Sequence, residues 1–506
     1  MTVTQVLIVG AGPTGLVLAL RLARHGIACR IIDRNDAPGQ ASRALGVHAR
    51  TLEFYQQLGF ADDVVARGIR VDSIHLREHG ADVARLTLTD MGAGLSPFPF
   101  LLCFAQDDHE RLLIEKLRAA GVTVDRGVAL ESLTQDASGV RATLVGHGGA
   151  REVCSAAYLC GCDGARSAVR EQLDIGFPGG TYQQRFYVAD VNIDAERSRD
   201  AYVSLDIDGF ALMMPVRGGR AQRIVGIVRA PLTNAESLDF SDVQKSAEAL
   251  LGVRVTTVNW FSVYHVHHRV ADHFQRGRCF LAGDAGHVHS PLGAQGMNTG
   301  IGDAVNLSWK LAQVLTGRAR SSLLESYEPE RIVFARRLVQ TTDRAFQNVV
   351  NPGRSGQFLR TWLVPHLVPF LTGFSTVRRM MFRTVSQLRL NYRDTALSEG
   401  CAGNVHGGDR LPYVATGDRD NFAPLQSIDW QIHVYGTPLP DFVQAATALH
   451  LPLHAFDWND AADDAGLMRN AAYLVRPDGY VALAMPAQTP ECAEQLSRYT
   501  ESVFSS

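Results

Sequence analysis

The sequence predicts a mixed α/β protein in three parts: a βαβ unit, an antiparallel sheet inserted into it, and a separate C-terminal α/β unit. Three observations predict this. The apolar run Val6-Leu7-Ile8-Val9 leads into Gly10-Ala11-Gly12-Pro13-Thr14-Gly15 and then Leu16-Val17-Leu18-Ala19-Leu20. From about 181 to 265 the βα rhythm gives way to strand-like alternation, and after about 395 further strand-like runs follow. At 506 residues the chain exceeds one ordinary core, which agrees with several domains.

Hydrophobic residues make up 46% of the chain and charged residues 20%, ordinary globular usage. The net charge of −3 argues against nucleic acid or an anionic membrane as partner. Only Lys116, Lys245 and Lys310 are lysines, which excludes chemistry that needs a lysine elsewhere. The eight cysteines are scattered, Cys160 and Cys162 do not form a CxxC, and the N-terminus lacks a signal-peptide pattern, so a reducing cytoplasm is the expected setting. No run reaches the roughly 18 apolar residues that span a bilayer. The apolar stretch around Trp362-Leu363-Val364 and Phe370-Leu371 is broken by Pro365, His366 and Pro369 and reads as a buried helix pair or a homodimer surface.

In the first element, a strand ends in a glycine turn that opens a helix. Gly10 permits the sharp turn, Gly12 lets backbone approach a phosphate, and Gly15 lets the helix pack closely, with Pro13 and Thr14 between them. The free N–H groups and positive end of the helix then face a pyrophosphate. The next apolar segment, Cys29-Arg30-Ile31-Ile32, ends at Asp33, eighteen residues beyond Gly15 and next to Arg34. A carboxylate there grips a ribose hydroxyl pair and would repel a 2′-phosphate, so the site suits FAD or NAD.

Two later segments decide between those nucleotides. In one, Tyr158-Leu159-Cys160-Gly161-Cys162-Asp163-Gly164-Ala165-Arg166-Ser167, a strand meets an Asp-Gly turn and a helix begins near Ser167. In the other, Arg278-Cys279-Phe280-Leu281-Ala282-Gly283-Asp284-Ala285-Gly286-His287 precedes Ser290-Pro291-Leu292-Gly293-Ala294-Gln295-Gly296-Met297-Asn298-Thr299-Gly300, and a long amphipathic helix is expected from about Met297 to Leu315. This combination resembles the FAD-dependent aromatic hydroxylases of the para-hydroxybenzoate hydroxylase fold. The resemblance extends to Ser42-Arg43-Ala44-Leu45-Gly46, Arg50-Thr51-Leu52-Glu53, Gln106 ahead of Glu110-Arg111-Leu112-Leu113, and Ser326-Tyr327-Glu328-Pro329-Glu330-Arg331, most of residues 1 to 335.

The resemblance implies non-covalent FAD. It assigns Asp284 to the ribityl chain, and Gln106 and Arg43 to the ribityl and phosphate region. Pro291 is placed near the reactive flavin edge, and the N–H groups of Gly296, Met297 and Asn298 are placed at the flavin pyrimidine, where a positive helix end favours charge on reduced flavin. Asp163 is implied near the pyrophosphate, with capping of the next helix as the alternative. The implied activity is a monooxygenase cycle: NADH or NADPH reduces FAD, O2 adds to give a C4a-hydroperoxide, and one oxygen enters a phenolic ring. Epoxidation or Baeyer–Villiger insertion by the same chemistry, and flavin binding without turnover, remain alternatives. Flavin-dependent halogenation is disfavoured, because the chain lacks a Trp-x-Trp segment.

His287 with His289, and His265, His267 and His268, lack a carboxylate or cysteine spacing that would complete a metal site, and are expected at the surface or in support of neighbours. Cys160 and Cys162 are expected to be inert packing. In the inserted sheet, Tyr187, Ala189, Val191 and Ile193 alternate on one face. Phe210, Met213, Met214, Pro215 and Tyr264 are the candidate substrate liners, and Arg217, Arg220, Arg223 and Arg229 are expected to be solvated. A largely apolar pocket favours a hydrophobic aromatic substrate.

The tail contains Gln431-Ile432-His433-Val434-Tyr435, Pro452-Leu453-His454-Ala455-Phe456 and Ala472-Tyr473-Leu474-Val475-Arg476-Pro477-Asp478-Gly479-Tyr480-Val481-Ala482. It resembles the thioredoxin-like C-terminal domain of phenol hydroxylase and of the hydroxylases that tailor aromatic polyketides and rifamycins, which implies a phenolic or polyketide substrate. With only Cys401 and Cys492, it cannot run CxxC chemistry. The expected domains are therefore a split FAD-binding unit at 1–180 and 266–394, a substrate sheet at 181–265 with part of 70–105, and the tail at 395–506.

Overall fold

The computed structural model describes residues 2–39, 44–196, 198–206, 209–229, 232, 237–350, 371–417 and 419–504, excluding the side chains of Leu292 and residues 345–350. Arg43, Ser42 and the apolar stretch from Trp362 to Phe370 lie outside these residues. The helices that matter below are α1 (Pro13–Arg24), α2 (Ala49–Gln57), α3 (Ala61–Arg67), α4 (Gln106–Ala119), α5 (Ala168–Gln172), α6 (Phe240–Leu251), α7 (Gln295–Leu315) and α8 (Tyr327–Val350). Among the described residues no helix is long and apolar enough to cross a membrane.

The first sheet runs in the order Gln275–Arg276, Cys279–Leu281, Arg151–Gly161, Thr2–Val9, Cys29–Asp33, Val124–Arg126, and its last five strands are parallel. Burial on both faces explains their continuous apolar runs. Thr2–Val9 lies between the strands ending at Asp33 and Gly161, and the crevice at such carboxyl ends is where an α/β sheet binds its ligand.

The second sheet runs in the order His287–Val288, Val255–Val270, Gly179–Ile193, Ala221–Ile227, Gly209–Val216, Ala201–Asp206, Ser73–Glu78, Ala81–Thr87. One face buries Tyr187, Ala189, Val191, Ala211, Met213 and Ile224 against Phe240, Val243, Ala247 and Leu251 of α6. The expectation for Met213 is thereby corrected. It fills the core beneath α6 because it pairs with Ile224, whereas its neighbour Met214 points to the opposite face. That opposite face carries the cross-strand row Met214, Arg223, Asp190, Trp260. Arg223 of this row reaches the carbonyl of Ala44 at 3.2 Å, and Met214 packs against the large cluster that includes the first sheet's core, so this face is turned towards the nucleotide unit.

The C-terminal sheet runs in the order Val405–His406, Glu399–Ala402, Val481–Met485, Ala472–Val475, Gln431–Tyr435, Leu453–Phe456, with parallel and antiparallel pairs mixed. Its turn Arg476-Pro477-Asp478-Gly479-Tyr480 docks on α1, α2, α7 and α8. Arg476 donates to both oxygens of Glu330 at 2.7 and 2.9 Å and to Asp478 at 2.6 and 3.1 Å. Asp478 also accepts from Trp309 Nε1 at 3.1 Å, and Lys310 Nζ donates to Glu330 at 2.8 Å. Arg21 and Arg50 donate to the carbonyls of Pro477 and Asp478 at 3.1 and 2.7 Å. Helix α7 therefore departs from the expected amphipathic pattern. It is buried on all sides from Asn298 to Gln313, because its polar side meets the C-terminal unit and not water.

Candidate active site

Gly10 has φ +102°, and a Cβ there would overlap the carbonyl of Cys162. A Cβ on Gly15 would overlap the carbonyl of Gly10, so the third glycine is fixed by the turn itself. Gly12, which caps α1, has open space where its Cβ would be. Pro13 begins the helix, and as first-turn groups the following N–H donors have no intrahelical partner. An unobstructed cradle at a positive helix end fits a pyrophosphate.

Asp33 stands at the side of this cradle, largely buried. Its Oδ2 accepts from Ala11 N at 2.8 Å, and its Oδ1 accepts from Asn35 N and Nδ2 at 2.9 and 3.0 Å. The backbone thus fixes the carboxylate beside the turn, and its two oxygens keep some acceptor capacity for hydroxyl groups. Arg34 points to solvent.

Segments far apart in sequence meet at this point. Cys162 N donates to Val9 O at 2.7 Å, Gly10 N to Ile32 O at 2.8 Å, and Ala282 N to Gly161 O at 3.0 Å. Thr14 packs where Cβ atoms of Gly283 and Gly300 would stand, which draws the Gly-Asp turn and α7 against the start of α1. Asp284 is exposed on that turn. Asp163 lies beside Gly10 by its backbone, but its side chain serves α5: Ser167 Oγ donates to Oδ1 at 2.5 Å and Val169 N to Oδ2 at 3.2 Å. Burial pushes this carboxyl up. The side chain therefore follows the capping alternative.

The loop into α7 exposes Pro291 and passes through Ala294 at φ +53°. Asn298 then clamps the helix start. Its Oδ1 accepts from His48 N and Thr51 Oγ at 2.9 and 2.7 Å, and its Nδ2 donates to Gly46 O and Ala294 O at 2.9 and 2.8 Å. The half-buried Gly296 and Met297 are left in the first turn with N–H groups that no helical carbonyl reaches. Gln106 opens α4 and accepts from Ala44 N at 3.3 Å while donating to Glu110 at 2.9 Å, so it fastens the chain just after Arg43.

The buried His48 and the half-buried His289 flank the loop. Burial pushes His48 and His289 down to about 4, so both are neutral near pH 7. His287 is buried on Asp303, and among the described residues no group is placed to hold a metal ion.

On the sheet face turned to this site, Phe210, Met214 and Tyr264 are half-buried. Arg223 is not solvated as expected. It is 1% exposed and grips Asp190 through Nε and Nη2 at 2.7 and 2.9 Å, while Nη1 reaches Ala44 O at 3.2 Å. A buried guanidinium needs such a bidentate partner, and the cross-strand register supplies it. Asp190, His48 and Asp303 were missed from sequence, and Arg331 was noted only as part of the matching segment Ser326 to Arg331, without a role.

The geometry fits FAD: a helix N-terminus open to phosphate, a carboxylate beside it for ribose, another on the Gly-Asp turn, and a second helix end beyond. Comparison with known proteins agrees. A family model described as FAD binding domain matches residues 3–342. The 6-methylpretetramide 4-monooxygenase of Streptomyces rimosus is 38% identical over 80% of this chain and 73% of its own. A dialkyldecalin synthase of Streptomyces rugosporus is 31% identical over 96% of this chain and 97% of its own. A crystal structure of aklavinone-11 hydroxylase with FAD and aklavinone superposes with a TM-score of 0.80 at 25% identity, covering 98% of each chain. The chain therefore belongs to the FAD binding domain family, as one of its flavin-dependent aromatic monooxygenases.

Proposed function

We propose that the protein hydroxylates a phenolic or polyketide-like aromatic ring, with NADH or NADPH as reductant. The observation that carries this reading is the meeting of Gly12, Asp33, the Asp284 turn and the start of α7 beside a sheet face of mainly apolar side chains. When bound, FAD would take two electrons from NAD(P)H, react with O2 and deliver one oxygen atom to the substrate while the other leaves as water.

The chain's own groups bind, orient and exclude water. The α1 N-terminus and Gly12 hold the pyrophosphate, Asp33 the ribose, and Asp284 the ribityl hydroxyls. The first-turn N–H groups of Gly296 and Met297 would favour negative charge on the pyrimidine of the reduced flavin. Pro291 would lie at the reacting edge, and Phe210, Met214 and Tyr264 would wall the substrate. The Arg223–Asp190 pair compensates its own charge, so this wall offers little to an anionic substrate and suits an apolar ring system. The relatives named for 6-methylpretetramide and aklavinone support the same class.

The test is NAD(P)H oxidation under 18O2 with a panel of phenols and aromatic polyketides. A product heavier by one labelled oxygen, with the ring carbons intact, supports hydroxylation; an epoxide or ring-expanded ester redirects the reading to the sister oxygenations. One relative is named as a synthase and not as a monooxygenase, which favours one second reading for this chain, a flavin that is bound without turnover. Flavin that stays oxidised with NAD(P)H under argon, whatever aromatic is added, would establish that reading instead.

A further inference from the structure

Asp303, in the middle of α7, is fully buried and accepts hydrogen bonds from three elements. Its Oδ2 takes Gly283 N at 2.9 Å and His287 Nε2 at 2.7 Å, which flank Asp284 on the Gly-Asp turn. Its Oδ1 takes Arg331 Nε from α8 at 2.6 Å. Arg331 in turn donates through Nη2 to Thr299 O, in the opening turns of α7, at 3.1 Å and through Nη1 to Tyr392 Oη at 2.8 Å. Burial would raise the Asp303 carboxyl, but Arg331 and His287 outweigh it and hold the group below the usual carboxylate range.

We propose that Asp303 is a positioning residue of the flavin site, fixing the distance between the Asp284 turn and the first turn of α7. The inference rests on the assignment of those two groups to the ribityl chain and the pyrimidine. Both are referenced to one carboxylate: the turn directly, through Gly283 and His287, and the helix start through Arg331 and Thr299. Gly283 has φ +63°, so the turn is a conformation that needs such support. A buried ion pair that only held the fold would influence stability; one that sets this distance also influences the bound flavin.

Asp303→Asn, Asp303→Asn/Arg331→Met and Asp284→Ala are to be compared with the parent for FAD affinity by flavin fluorescence, flavin midpoint potential, and thermal unfolding. The double variant removes both buried charges, so it carries the test where the single variant does not fold. Weakening of FAD by about 10- to 100-fold, the range of a charge-assisted hydrogen bond, with a shifted potential in a folded variant of Asp303, is the expected result. Folded Asp303 variants with parental affinity and potential, beside a weakened Asp284→Ala, would overturn this inference alone. Parental affinity in Asp284→Ala would overturn the site assignment and the inference with it.

Discussion

The docking of the C-terminal turn makes Arg476→Met a quantitative probe of how far the FAD-binding unit depends on the tail. Arg476 is fully buried between Glu330 and Asp478, and with Lys310 these groups form a four-residue cluster of zero net charge. Removing the guanidinium deletes four charge-assisted bonds and leaves the cluster one negative charge in excess, out of water. Breaking one partner of such a buried set costs about 3–5 kcal/mol. At roughly 2–4 °C per kcal/mol for a large domain, the melting temperature should fall by at least ~6 °C. Arg476→Met/Asp478→Asn restores neutrality and should regain half or more of the loss. Urea unfolding followed by tryptophan fluorescence suits the case, because Trp309 of α7 stacks edge-on with Trp430 of the tail at 5.5 Å. A single variant within ~1 kcal/mol of the parent, or a double variant no better than the single, would refute the reasoning.

Further outcomes follow from the same geometry. A Cβ at Gly12 meets no neighbouring atom, so Gly12→Asp should fold with a parental circular dichroism spectrum yet fail to retain FAD, since it adds a carboxylate at the phosphate cradle; normal flavin content would remove Gly12 from the site. Burial works to raise Glu330, but Arg476 and Lys310 hold it at about 2, below its ordinary 4.5. The stability it contributes is therefore full above about pH 4.5 and lost as pH falls towards 2, a loss that acid titration of the parent should show and Glu330→Gln should lack. Cys401→Ser/Cys492→Ser should keep full turnover per bound FAD, because the two thiols belong to no dithiol motif; lost turnover in a folded, flavin-loaded variant would implicate the tail in the chemistry. A true substrate should accelerate anaerobic flavin reduction by at least ~10-fold, which requires about 1.4 kcal/mol of differential binding, and equal stopped-flow rates with and without it would show reduction to be ungated.

What was legible in the sequence was what is local. The glycine turn, Asp33 and the Gly-Asp segment each occupy a few consecutive residues whose backbone requirements can be read directly, and the alternation of Tyr187, Ala189 and Val191 placed these residues on one face, although Phe186, Val188 and Asp190 of the other face are buried too. Alternation does not say which face meets which neighbour. Met213 and Met214 differ by one residue and point to opposite sides, and only the register against Ile224 and Arg223 separates core from site. Arg223 and Asp190 are 33 residues apart on adjacent strands, so nothing short of that register could show that the arginine is buried. Asp303 and Arg331 were hidden for a related reason: polar side chains on one side of α7 looked like a solvent face.

That polar side changes how the tail should be understood. Asp303, Asn306, Lys310 and Gln313 recur along α7 at the spacing of one helical face, a pattern that ordinarily faces water. Here Asn306 and Lys310 instead meet Glu330, which Arg476 and Asp478 complete from the tail, while Arg410 completes Glu53 on α2. Buried charges are tolerated only when paired, and several pairs within residues 3–342 are finished by residues beyond 400. The family match thus delimits a unit of sequence that is not a unit of charge balance. A tail without a redox motif has a sufficient physical role in closing that balance, and because Glu330 and Arg331 are consecutive on α8, the residue that receives the tail adjoins the one that pairs with Asp303, which holds the Gly-Asp turn.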